Sequence, residues 1–242
     1  MTEQSARPGE RYYISQAAQE LHHVFQQVTA HSCPHQYNFH MHTHCSDGKR
    51  TPGELMEQAG GLQLKGFAIT DHHTVRGYQK ACQWLENWRW KHPSYWTSNQ
   101  AKSKLPKLWC GVEITSSLLD VDVHILGYAF APDHKAIRPY LQGGAPSGED
   151  RQASLVIKAI QAAGGVAVLA HPVRYRRSPE DLIPAAAALG IDGVETYYAY
   201  DHPPEWRPTP HKTERVQVLA SAYQLLRTCG TDSHCLTLTR RG

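Results

Sequence analysis

No stretch of this sequence is apolar for long enough to cross a membrane. The longest uncharged run, Ala159 to Val173, contains Gly164 and Gly165, stops at Lys158 on one side and falls short of a spanning helix. The first residues, Met1 to Arg11, hold Glu3, Arg7, Glu10 and Arg11 and no apolar centre, so a signal peptide is not expected and the reading is of a cytoplasmic protein. The six cysteines (Cys33, Cys45, Cys82, Cys110, Cys229, Cys235) form no C-x-x-C pair and read as reduced thiols, most of them small buried hydrophobes. Charge of one sign is also scarce. Lys plus Arg number 25 and Asp plus Glu 22, and a net charge of +3 is too small a bias to argue for duplex nucleic acid or an anionic membrane as the main partner. There is no internal repeat and no low-complexity tract. With 40% hydrophobic and 19% charged residues the chain reads as soluble and globular. Its 242 residues can bury a sizeable core. They also lie in the range, about 200–250, in which closed α/β barrels fold as one unit.

Histidine is what the sequence has in excess: 16 residues of 242. Imidazole is the commonest metal ligand and the usual acid or base near neutral pH, so the positions of these residues decide between scattered surface histidines and a site. Short β-type runs alternate with helical ones. Strands are expected at Tyr37–His42, Gly66–Thr70, Leu108–Thr115, Val123–Phe130, Val166–Ala170, Gly193–Tyr198 and Leu226–Thr231. Helices are expected at Ser15–Val28, Thr51–Leu64, Gln79–Trp90, Arg151–Ala163, Ser178–Leu189 and Lys212–Leu225. Thr51 and Ser178 are placed to cap, each followed by a proline suited to the first turn, and Glu54 completes a capping box. Gly164-Gly165 stops the fourth helix. Strands three and four, a short turn apart, are candidates for antiparallel neighbours. His92 to Pro106 reads as a polar loop. Seven strands with mostly helical crossovers suggest a barrel-like α/β fold at residues 37–242, preceded by a helical extension at 1–36.

Ligand-type residues stand at the strand ends. Strand one ends in His40-Met41-His42 with Asp47 in the loop beyond. Strand two runs into Asp71-His72-His73 and strand three carries Glu113. Strand four opens with His124, and strand five runs into His171. Strand six carries Glu195, and strand seven runs into Asp232-Ser233-His234. Side chains two apart on a strand share a face, so His40 and His42 can share a target, as can Asp232 and His234. The carboxyl ends of barrel strands converge on one mouth. Any one of these residues alone reads more simply as a hydrogen-bonded core histidine or a turn. Gathering so many is different, because each ionisable group costs several kcal/mol to bury unless it is paired or bound to a cation. Imidazole and carboxylate together are the donor set of Zn²⁺, Mn²⁺ or Fe²⁺.

The segments N-F-H-M-H-T-H-C-S-D-G, A-I-T-D-H-H-T, G-V-E-I-T, H-I-L-G-Y, L-A-H-P-V-R-Y and G-T-D-S-H resemble, in order, the motifs of the PHP (polymerase and histidinol phosphatase) family, most closely its stand-alone TrpH-like phosphoesterases. The likeness covers Tyr37 to His234 and implies a TIM-like, distorted seven-stranded (β/α) barrel with two or three divalent cations (Mn²⁺, Zn²⁺ or Fe²⁺) at the C-terminal ends of the strands. By that resemblance His40, His42 and Asp232 hold one cation. Glu113 bridges it to a second held by His124 and His171, and Asp47, His72 and His234 hold a third. Glu113, Asp232 and His171 are the expected catalytic residues, and Arg174 is the expected phosphate contact, a guanidinium fork being suited to two phosphate oxygens. Arg176 and Arg177 read as surface, and Lys49 and Arg50 as weaker candidates. His44 reads as exposed or supporting, His73 as a polar loop residue, Asp71 as a partner that orients His72 and Glu195 as structural support at the mouth. His22, His23, His31, His35, His92, His134, His202 and His211 read as surface. Two departures stand out. Only Ala129 to Ala170 separate H-I-L-G-Y from A-H-P, where the TrpH-like proteins often carry a helical insertion. The chain also ends at Gly242, too soon after His234 for a full closing helix, so the Ser15–Val28 helix is expected to cover the exposed flank.

The expected activity is hydrolysis of a small phosphomonoester, a nucleotide or nucleoside bisphosphate, by cation-activated water. The alternative is an exonuclease trimming short single-stranded RNA or DNA, with Trp84, Trp88, Trp90, Trp96 and Trp109 as candidate stacking residues. A metal-stabilised scaffold without turnover ranks last, since every expected ligand position is filled. No membrane partner is expected, and the sequence leaves the oligomeric state open.

Overall fold

The computed structural model describes residues 14–92, 105–201, 203 and 205–240. Among these lie six α-helices and seven strands, in the order α1 (Gln16–Gln27), β1 (Tyr37–Asn38), α2 (Pro52–Gly61), β2 (Gly66–Ile69), α3 (Arg76–Lys91), β3 (Lys107–Leu118), β4 (Val121–Tyr128), α4 (Ala153–Ala162), β5 (Val166–Leu169), α5 (Pro179–Ala188), β6 (Gly193–Tyr197), α6 (Pro210–Ala222) and β7 (Leu226–Cys229). The strands pair in sequence order in one sheet. β1–β3 are parallel, as are β5–β7, whereas β4 runs antiparallel to both of its neighbours. The sheet curls until its ends meet. Phe39 N donates to Cys229 O (3.1 Å), Asp232 N to His40 O (2.8 Å) and His42 N to Ser233 O (3.0 Å). This is the distorted seven-stranded barrel expected from the sequence.

Sequence chemistry sets the element ends. Thr51 and Glu54 form the reciprocal capping box, Ser178 Oγ accepts from Asp181 N, and Ser15 Oγ accepts from Ala18 N. Gly164 (φ +79°) follows α4 in the left-handed conformation that ends helices. The β3–β4 connection is two residues, Leu119-Asp120, both with φ above +50°. That is the turn whose twist suits a tight hairpin, adopted here without glycine. Regular pairing of β1 stops at Asn38, four residues earlier than expected. Beyond it the chain is shared irregularly between two neighbours, with Met41 O accepting from Thr70 N (2.9 Å) and Met41 bridging Ser233.

Side chains sort into three apolar clusters. Val112, Ile114, Ile125, Leu169 and Val194 face outward against α4, α5 and α6. Met41, Phe67 and Ile69 face α2 and α3. The inward faces of the strands, with Phe39, Leu126, Tyr128, Val168 and Cys229, pack around Leu21 and Phe25 of α1. The Phe25 ring meets Phe39 edge-on at 4.9 Å and Tyr128 at 5.5 Å. Ser15 N donates to Gly164 O and Ser15 Oγ to Ala129 O, tying α1 to the amino end of β5 and the far end of β4. α1 therefore seals the end of the barrel opposite the strand carboxyl ends; it does not cover the flank. The C-terminal tail does that. Leu238 is buried in the α2–α3 cluster, its N–H donates to Gln58 Oε1 (3.1 Å), and its carbonyl accepts from Asn38 Nδ2 (3.1 Å). Among the described residues no helix is long and apolar enough to cross a membrane.

Candidate metal centre

β1, β2, β5 and β7 run in one direction, so the residues just past their carboxyl ends, His40 and His42, His72, His171, and Asp232 and His234, arrive at one mouth. β4 runs the other way and delivers its beginning there, which is why His124 joins them. β3 continues past the rim as a hairpin with β4 and leaves Glu113 in the middle of the mouth, paired with Leu126 on one side and bridged to His72 on the other.

Glu113 is the hub. Its Oε2 lies 3.0 Å from His40 Nε2, 3.0 Å from His42 Nε2 and 3.7 Å from His72 Nδ1. Its Oε1 lies 2.6 Å from His124 Nδ1 and 3.3 Å from His171 Nε2. Asp232 Oδ1 sits 3.4 Å from His40 Nε2 and 3.3 Å from His42 Nε2. Further out, Asp47 Oδ2 lies 3.6 Å from His72 Nε2 and 3.3 Å from His234 Nε2, and Asp47 Oδ1 lies 3.5 Å from His42 Nδ1. All nine residues singled out as ligands in the sequence thus meet in one cluster at the mouth. Three groups have donor atoms close enough to surround one cation: His40, His42, Glu113 and Asp232; His72, Glu113 and His124; and His42, Asp47, His72 and His234.

The cluster fits divalent cations on its own chemistry. Both nitrogens of His42 are buried without a hydrogen-bond partner, although Nε2 is within 3.3 Å of two carboxylate oxygens. Close approach without hydrogen-bond direction is how ligands stand around a shared ion, each about 2.0–2.2 Å from it and about 3 Å from one another. The donors are nitrogen and oxygen alone. Cys45 and Cys235 supply none, and Cys235 Sγ turns to Thr237 O and Arg240 O. Electrostatics agrees. Burial raises the carboxyls of Glu113 and Asp232, but the surrounding imidazoles, His40 foremost, hold both well below the usual carboxylate range. Burial alone would depress His42, yet Asp232 and Glu113 push it up to about 9. Two buried anions demand positive charge, and without a cation a proton supplies it. His72, in contrast, is lowered to about 4, chiefly by burial, and so presents the neutral ring that ligation needs.

Supporting contacts explain the rest. Glu195, fully buried, reaches His40 Nδ1 through Oε1 (3.0 Å) and accepts His171 N through Oε2 (2.9 Å). Asp71 does not orient His72. Its oxygens accept from Thr43 N (2.7 Å), Thr43 Oγ1 (2.7 Å) and Ser46 Oγ (2.8 Å), so it anchors the loop that carries Asp47. A Cβ on Gly77 would fall 1.9 Å from Asp71 Oδ2, so only glycine allows that approach. His44 is exposed, and His73 is buried with Nε2 3.2 Å from Thr115 Oγ1. Arg174 reaches inward from the rim, its NH1 donating to Asp232 Oδ2 (3.1 Å). Two tyrosines escaped the sequence reading. Tyr198 OH donates to Asp232 Oδ2 (2.6 Å), and Tyr175 OH accepts from His124 N (2.8 Å). The only hint was their place beside motif residues, Tyr175 next to Arg174 and Tyr198 three beyond Glu195. His73, His171 and Asp232 all have positive φ (+52°, +26°, +52°). That is strain of order 1–3 kcal/mol each, of the kind found at functional sites.

Among the described residues, the candidate stacking tryptophans do not line this mouth. Trp84 packs against Gly53 between α2 and α3, and Trp109 lies with Phe39 toward the sealed end. Trp88 and Trp90 sit near the last turn of α3, far along the helix from the mouth, and Trp96 and His202 lie outside the described residues.

A seven-stranded α/β barrel whose mouth gathers histidines and carboxylates around one shared glutamate has the donor set of a metal-dependent hydrolase. The chain belongs to the PHP family: the model of the PHP domain matches residues 38–165. A solved structure from Bifidobacterium adolescentis, a protein assigned as a metal-dependent phosphoesterase, is 25% identical with a TM-score of 0.63, over 86% of this chain and 93% of that one. The 5′-3′ exoribonuclease Rnm of Salmonella typhimurium is 32% identical over 117 residues, 48% of this chain, and the chain spans only about a third (34%) of that protein's length. The 5′-3′ exoribonuclease of Haemophilus influenzae is 25% identical over 216 residues, 66% of this chain and 78% of that protein.

Proposed function

We propose that the chain hydrolyses a phosphate ester at the end of a small molecule, a nucleotide or nucleoside bisphosphate, using two or three divalent cations (Mn²⁺, Zn²⁺ or Fe²⁺) at the barrel mouth. The observation that carries this is Glu113, whose two oxygens face two different sets of imidazoles. His40, His42, Glu113 and Asp232 would hold the deepest cation, Glu113 with His124 and His171 a second, and Asp47, His72 and His234 the outermost. Cations there would polarise a phosphoryl oxygen and lower the pKa of a water. Arg174, one-third exposed, offers its remaining donors to the substrate phosphate while Asp232 fixes one of its nitrogens. Glu195 keeps His40 and His171 in place from behind, so the donor set does not have to reorganise during turnover.

The 5′-3′ exoribonuclease activity for which the Salmonella and Haemophilus relatives are named favours a second reading, 5′-3′ trimming of short RNA. It rests on those relatives and not on stacking tryptophans at the mouth. One experiment separates the two. The purified protein, supplied in turn with Mn²⁺, Zn²⁺ and Fe²⁺, is assayed for phosphate release from nucleoside mono- and bisphosphates, and on a gel for shortening of 3′-labelled oligoribonucleotides. Phosphate release without shortening supports the first reading, and stepwise shortening supports the second. Neither reaction with any of the three metals, from protein that is folded by circular dichroism, overturns both.

A further inference from the structure

β6 contributes none of the nine expected ligands, yet side chains at its end touch three of them. Glu195 backs His40 and His171, and Tyr198 reaches Asp232. The Tyr198 contact has a chemical consequence. A carboxylate can close on a cation with one oxygen or two, and the two oxygens of Asp232 are sorted. Oδ1 faces the ligand nitrogens, 3.4 Å from His40, 3.3 Å from His42 and 3.6 Å from His234 Nδ1. Oδ2 accepts the Tyr198 hydroxyl at 2.6 Å and Arg174 NH1 at 3.1 Å. Arg174 NH1 also donates to the Tyr198 oxygen at 3.3 Å, closing a triangle. Tyr198 is buried, its ring edge-on to His171 (5.5 Å) and tilted against Tyr200 (4.8 Å), so the hydroxyl has little freedom to leave.

We propose that Tyr198 is a positioning residue that holds Asp232 to ligation through Oδ1 alone, and that Arg174, by sharing Oδ2, ties the phosphate-facing rim to that same ligand. The proposal rests on the reading of the mouth as a metal-dependent phosphoesterase site and goes beyond it by assigning a task to a strand with no ligand. A purely structural tyrosine would fill space and satisfy Oδ2; a positioning one sets the strength of a cation site.

Tyr198→Phe removes one hydroxyl and keeps the ring contacts. Wild type and variant are stripped with a chelator, titrated with Mn²⁺ by calorimetry, melted, and assayed for phosphate release. The expected result is an unchanged number of bound ions, a tightest step about 10–100-fold weaker, and a fall in kcat with little change in KM. Arg174→Met is expected to raise KM and to move the isotherm less than Tyr198→Phe does. An isotherm for Tyr198→Phe that overlays the wild type, whether or not the melting point falls, overturns the proposal. If the wild type binds Mn²⁺ but releases no phosphate, the functional reading fails while Tyr198 is still judged on its isotherm. A wild type that binds none of Mn²⁺, Zn²⁺ and Fe²⁺ overturns both.

Discussion

The mouth has two halves built to different standards. The inner half, His40, His42, Glu113, His171 and Asp232, is buried; Glu195 and Tyr198 brace it from behind, and Arg174 holds Asp232 from the rim. The outer half is looser. The side chains of Asp47, His72 and His234 are 53%, 24% and 28% exposed, stand 3.3–3.6 Å apart, and Asp47 rides on a loop. Burial makes the inner half intolerant of missing charge, since each anion there has given up its water and depends on its neighbours. Solvent screens the outer half, where a charge lost or gained costs little. The difference teaches that one cluster of donors can combine a part fixed by the fold with a part that solvent and loop leave free to adjust, so an ion in the outer half is expected to exchange more readily than one in the inner half.

Replacing Glu113 with Gln would break the comparison at its root. The bridge between the imidazole sets loses its charge, so we expect phosphoester hydrolysis to fall by about 10³-fold or more, several kcal/mol of transition-state stabilisation, with fewer ions retained by native mass spectrometry. Glu195→Gln tests the bracing alone. It touches no expected cation directly and is expected to weaken the tightest ion by about 10–100-fold in a calorimetric titration. Protons should compete with cations at the inner half. Because His42 in the ion-free cluster is raised to about 9 by Asp232 and Glu113, despite burial, it is protonated below that pH and must release the proton on ligation. Apparent Mn²⁺ affinity should therefore fall as pH drops from 9 to 6, by up to about tenfold per unit for one displaced proton. Asp47→Asn is expected to do least, a change of a fewfold in activity and loss of only the most weakly held ion on dialysis. If it instead strips the inner ions, the two halves are a single unit.

Much of this was legible from spacing. Ligand-type residues just past successive strands needed only barrel geometry to bring them together, and the caps at Thr51 and Ser178 are local chemistry that the fold leaves intact. What sequence could not show were contacts set by three-dimensional proximity between ordinary residues. Tyr198 and Tyr175 look like core aromatics until their hydroxyls are seen against Asp232 and the His124 backbone. Asp71 stands next to His72 yet holds the neighbouring loop, because successive residues point in opposite directions. The helical pattern of α1 predicted a helix but not its destination, since an amphipathic face records only that something apolar covers it.

That destination matters for any shortened version of the chain. Phe25 and Leu21 cork an aperture ringed by Phe39, Tyr128, Val168 and Cys229. A variant beginning at Gln36 would keep all nine expected ligands and expose a greasy ring at the other end, and patches of that kind drive self-association. Such a protein should still take up cations while coming out of a sizing column as a multimer.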